Sequence, residues 1–85
     1  PLGIYYDEIN NKIVITDIIK DSIVDLKYKD ICIGMELISI NNHPVKKYDK
    51  TMNYIKTKYK LHKYIKLTFL KVNKKNISEV FEIEE

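Results

Sequence analysis

The 85-residue chain contains no arginine, no tryptophan and no alanine, and it has only two glycines, two prolines and one cysteine. The lone Cys32 excludes an internal disulfide, so the fold has to be held by packing. Two glycines exclude a glycine-rich loop that cradles phosphates. No apolar run approaches the roughly 20 residues of a membrane span, and no signal-peptide pattern is present, so neither a span nor a leader is expected. With the single cysteine, this favours a reducing compartment, and the expected location is cytoplasmic. Catalytic patterns are missing as well. His43 and His62 have no paired nucleophile. Ser22, Ser39 and Ser78 lack a Gly-x-Ser-x-Gly context, and Asp7-Glu8 reads as a turn pair rather than an acid–base dyad. No enzyme activity, cofactor or metal is expected. Cys32 sits in an apolar run, where a buried, inert thiol is the simpler reading.

What is there is an ordinary globular balance, 45% hydrophobic and 32% charged, at the length of one domain covering residues 1–85. The net charge is +3, and lysine supplies all 15 basic residues. Most lysines fall from Lys46 onward. A solvated surface is the plain account of Lys46, Lys47, Lys56, Lys58, Lys60 and Lys63. The alternative is a patch for anionic lipid that would make the domain peripheral at a membrane. Nucleic acid is not expected, because the tyrosines fall on an inward helical stripe rather than on a stacking platform.

Pattern predicts the elements. Ile4–Asp7 and the β-branched Ile13–Ile19 read as a hairpin joined by a polar turn, in which Asn10-Asn11 tolerates positive φ. Asp21 and Ser22 suit an N-cap, and Ser22–Lys29 reads as a short helix with Ile23, Val24 and Leu26 inward. Asp30–Gly34 returns the chain to the sheet. Glu36–Ile40 is a strand ended by an Asn41-Asn42 turn, after which Pro44 and Val45 start a connection. Tyr48, Met52, Ile55 and Tyr59 share one face of a longer helix. Tyr64–Val72 and Ile77–Ile83 alternate as two last strands. The expected fold is α+β: a small antiparallel β-sheet or partial barrel capped by two helices.

Three segments stand out. Pro1-Leu2-Gly3-Ile4 reads as a tight glycine-containing loop running into a strand, and such a loop can aim several N–H groups at one carboxylate. Gly34-Met35-Glu36-Leu37-Ile38-Ser39-Ile40-Asn41-Asn42 is a strand ending in a turn. The helix starting at Tyr48 has the periodicity to wall a groove. In this order, with Ser22-Ile23-Val24 at the short helix, they resemble a PDZ domain, a module that binds the free C-terminus of a partner protein. Met35 and Asn42 depart from the family's usual Asp and Gly. The strand that normally precedes the loop is missing, while an additional C-terminal strand is present. Two accounts stand: a permuted, PDZ-like arrangement in which Ile77–Ile83 takes the missing strand's place, or a first strand that lies outside the sequence given.

The resemblance implies ligand binding by strand addition along Ile4, Tyr5 and Tyr6. The N–H groups of Leu2, Gly3 and Ile4 would hold the carboxylate. Leu2, Ile4, Tyr6, Met52 and Ile55 would form an apolar pocket for the last side chain, and Lys56 would add a contact to the carboxylate. Tyr48, at the head of the helix, would favour an apolar ligand residue two positions from the end. Affinity would be roughly micromolar, about −6 to −8 kcal/mol. The partner is thus the C-terminal peptide of another protein, apolar at its end. Alternatives are a substrate-recognition module of a larger processing protease, the lysine-rich anionic surface, and a homodimer in which the tail Phe81–Glu85 fills a neighbour's groove. The same apolar residues also suit a plain core.

Overall fold

The computed structural model describes residues 2–62, 64–73 and 75–85, the side chains of residues 58–62 excepted. The expected roles of Pro1, Lys58, Tyr59, Lys60 and Lys63 lie outside the described residues. The element order is β1 (Ile4–Ile9), β2 (Lys12–Ile18), α1 (Ile23–Lys27), β3 (Glu36–Ile40), β4 (His43–Pro44), α2 (Tyr48–His62), β5 (Lys66–Val72) and β6 (Ser78–Glu84). All six strands join one antiparallel sheet in the order β1-β2-β3-β5-β6, with β4 attached to β3. The α+β class expected from pattern is the class observed.

Two asparagine pairs shape the sheet. Asn10 (φ 51°) and Asn11 (φ 61°) both adopt the left-handed conformation, as do Asn41 (φ 49°) and Asn42 (φ 68°). Such paired residues make the two-residue turns whose twist matches a hairpin. The first turn is tighter than expected. Glu8 and Ile9 are strand residues paired with Ile13 and Lys12, not part of a polar loop. The second turn folds His43 and Pro44 back onto Ile40 and Ser39, so the expected connection begins as a short strand. Asn41 also ties β3 to β5: its amide donates to the Lys66 carbonyl, and its Oδ1 accepts from the Lys66 amide, both at 2.8 Å.

The core lies on one face of the sheet. Ile15, Val24, Leu37, Ile65, Leu67, Phe69 and Ile83 have no exposed surface, and Met35 nearly none. Ile65, Leu67 and Phe69 fall at alternate positions, as the strand period requires. In α1 the expectation is corrected. Ser22 caps the helix, its Oγ accepting from the Asp25 amide at 3.3 Å, and Val24 is buried. Leu26, however, is 58% exposed, because a helix of five residues presents only a narrow inward stripe. Cys32 is partly rather than fully buried. Asp30–Gly34 is a turn region that rejoins the sheet only at its end, where the Gly34 amide donates to Ile15 and Ile15 donates to Met35.

The segment after β6 is pinned to the same domain. Glu85 exchanges backbone hydrogen bonds with Ile65. Lys27 Nζ pairs with the Glu85 carboxylate at 2.8 Å, and the Tyr28 hydroxyl donates to the Glu84 carbonyl at 2.7 Å and also meets that carboxylate. In this chain the segment Phe81–Glu85, whose alternative role was to fill a neighbour's groove, pairs with β5 and is held against α1 by charge.

Candidate functional site

β1 and β6 occupy the two ends of the sheet. The candidate site lies at the N-terminal end of β1, where Leu2 and Gly3 lead into the strand. The Leu2 carbonyl accepts from the Val24 amide at 3.1 Å, and the Gly3 carbonyl accepts from the Ile19 amide at 2.8 Å. In a planar trans peptide the following N–H points opposite to its carbonyl. The Gly3 amide is thus turned away from α1, and the Ile4 amide away from β2. Among the described residues the Gly3 amide meets no acceptor. The bond from Ile19 to Gly3 flanks the Ile4–Ile18 pair, which marks that pair as the non-hydrogen-bonded kind. Both polar backbone groups of Ile4 therefore face the free edge.

Gly3 has φ +93°, and a Cβ built on it would collide with the Ser22 side chain. The collision is internal: the glycine lets the loop close onto the cap of α1.

The side chains divide into two groups. Leu2, Ile4, Tyr6, Tyr48, Met52 and Ile55 are all half-buried and packed against the central core. The five residues expected to line the apolar pocket are brought to one core, with part of each surface still accessible. Tyr6 is the most committed to it. Its ring stacks on Phe69 at a centroid distance of 6.5 Å and an interplanar angle of 7°, and burial pushes its hydroxyl pKa upward. Tyr5 is 56% exposed and pairs with Asp17, so it stands apart from this apolar group. A register shift between Tyr5 and Tyr6 leaves Thr16 as an extra residue in β2 and re-aims the strand. Lys56 is exposed on α2 and makes no ion pair among the described residues.

Tyr48 does something the sequence did not disclose. Its hydroxyl donates to the Tyr6 carbonyl at 3.1 Å. That carbonyl faces α2, on the side from which an added strand would approach. The bond ties the head of α2 to β1 and occupies an acceptor at the edge. No spacing rule could have found it, because the partners are 42 positions apart.

What this arrangement can do chemically is specific. It offers the outward amide and carbonyl of Ile4 at the head of an edge strand, beside an apolar strip and next to a helix. No titratable pair at the site suggests proton transfer, and no group of His, Cys, Asp or Glu among the described residues could hold a metal ion. Among the described residues no helix is long and apolar enough to cross a membrane. Compared with protein-family models, with curated proteins and with solved structures, the chain matches none.

Proposed function

We propose that the domain is a protein-interaction module of the PDZ-like kind, which binds the C-terminal peptide of a partner by strand addition to β1. The observation that carries this reading is the backbone of Ile4, whose amide and carbonyl both face the free edge at the start of β1, next to the Gly3 amide, which has no acceptor among the described residues although Gly3 itself is buried. Backbone N–H groups in such a loop suit an anionic acceptor, and a free α-carboxylate is the anion found at a chain end. The apolar strip formed by Leu2, Ile4, Met52 and Ile55 would take the last ligand side chain. Lys56 would lie within long-range reach of the carboxylate. The sheet order supports the permuted form of the resemblance, since β6 lies outside β5, where the missing first strand would pair.

Tyr48 bears on both entry and selectivity. A ligand amide that pairs with the Tyr6 carbonyl has to displace the Tyr48 hydroxyl. Its ring is then left to contact the ligand, which keeps an apolar residue two positions from the ligand's end as the preferred one. Fluorescence polarisation with free and amidated versions of the same peptides tests the reading. Loss of binding on amidation is the expected result, and indifference to amidation would refute carboxylate capture. Paired peptides ending Val-x-Val and Thr-x-Val test the selectivity, and a clear preference for Thr would sink that part.

A further inference from the structure

α2 has a second flank. At about 100° per residue, Tyr48, Met52 and Ile55 cluster on one face, while Lys47, Lys50, Thr51 and Tyr54 cluster about a third of a turn away. That second flank faces the β3–β4 turn across a cleft of about 280 Å³. Ile40, Val45 and Tyr54 line it as buried or half-buried residues, and Lys46, Lys47 and Lys50 line it as exposed ones. Among the described residues no carboxylate lines it. The cleft is therefore apolar inside and cationic around its mouth.

Its size and surroundings select the occupant. At about 280 Å³ the cleft sits at the lower end of small-molecule sites, roughly 300–1,000 Å³, and has room for one inserted side chain. Pro44 lacks an amide proton, and β4 is two residues long, so a partner gains little by adding a strand there. A membrane is disfavoured by a different observation. Among the described residues the exposed large apolar side chains are Tyr5, Ile9, Ile19, Leu26, Ile33, Tyr64, Val72, Ile77 and Val80, and none of them lines this cleft. None of these would enter a bilayer at its mouth, so an apolar anchor would come from the partner.

We propose that this cleft is a second docking site, which takes an acidic peptide segment and buries one of its apolar side chains between α2 and the β3–β4 turn. Lys46, Lys47 and Lys50 face the segment's carboxylates, giving charge complementarity around an apolar anchor. The site needs no free C-terminus and is independent of the β1 edge.

The test uses an acidic hexapeptide with one central phenylalanine, acetylated and amidated at its ends so that carboxylate capture cannot contribute. Binding is followed by amide chemical shifts on the whole domain. The expected shifts fall at Ile40, Val45, Thr51 and Tyr54. The triple substitution Lys46→Glu, Lys47→Glu and Lys50→Glu changes exposed residues only, and it should weaken this peptide by about tenfold or more while leaving unblocked C-terminal peptides unaffected. Replacing the phenylalanine by serine should abolish binding to the wild type. Shifts confined to β1, equal affinity for wild type and triple variant, or binding to phosphatidylserine vesicles in place of the peptide would each overturn the proposal.

Discussion

The two ends of the sheet are built to opposite purposes. β6 carries Glu79, Glu82 and Glu84, all exposed, and closes with Glu85 clasped by Lys27 and Tyr28. Charged side chains along an edge discourage pairing with another chain. The start of β1 carries Ile4, Tyr5 and Tyr6, without charge, and its protection is a single hydrogen bond from Tyr48. Both strands have an unpaired side, so strand position alone does not make a binding edge. The difference lies in how firmly each side is blocked: β6 by repulsion and a pinned end, β1 by one neutral contact.

Four single substitutions, one of them with a second-site partner, break or sharpen this contrast. Phe69→Ala should have the largest effect, because Phe69 supports both ends, stacking on Tyr6 of β1 and pairing with Phe81 of β6. Emptying a fully buried site of that size costs about 3–5 kcal/mol, and urea unfolding should show both edges lost together. Gly3→Ala should act on one end only. The strained positive φ and the collision with Ser22 together cost about 2 kcal/mol, with peptide binding lost and slow hydrogen exchange in β5 and β6 retained. Adding Ser22→Gly should recover part of that stability, since the collision is with the serine side chain. No recovery would place the whole cost in the backbone.

Tyr48→Phe should lower stability by about 1 kcal/mol, the net worth of a neutral hydrogen bond. It should also tighten peptide binding, because the ligand then meets an unoccupied Tyr6 carbonyl. Weaker binding would show that the hydroxyl contacts the ligand instead.

The smallest effect is expected at the β6 end, from Glu85→Gln. The hydrogen bond from Lys27, and then that from Tyr28, hold the Glu85 carboxyl below its ordinary value. A depressed acid contributes stability above its unfolded pKa and loses it as pH falls through the folded one. The wild type should therefore lose melting temperature in acid more steeply than Glu85→Gln, and the two curves should differ by a constant amount near neutrality. Parallel curves throughout would remove Glu85 from the account.

Much of the fold was legible because it rests on period and turn chemistry. Alternation at Ile65, Leu67 and Phe69 located β5, and the paired asparagines located both tight turns. The errors sit where short elements meet tertiary demands. Leu26 looked inward by spacing, but a five-residue helix has only a narrow buried face. His43 and Pro44 looked like a connection, but the left-handed turn at Asn41-Asn42 folds them back onto β3. At the candidate site, the sequence pointed to Leu2, Ile4, Tyr6, Met52 and Ile55 as an apolar group, and these residues do pack against one core. It could not tell that Gly3 serves the cap of α1, or that Tyr5 stands apart.

The sequence by itself determined the α+β class, the order of the elements apart from β4, and the alternating apolar residues of the strands, because these follow from local propensity and from the periods of 2 and 3.6. Tertiary structure alone decided which amides face outward, which edge is clasped, and that the Tyr48 hydroxyl rests on the Tyr6 carbonyl. Those features depend on groups far apart in the chain meeting at hydrogen-bond distance, and such meetings leave no mark in local spacing.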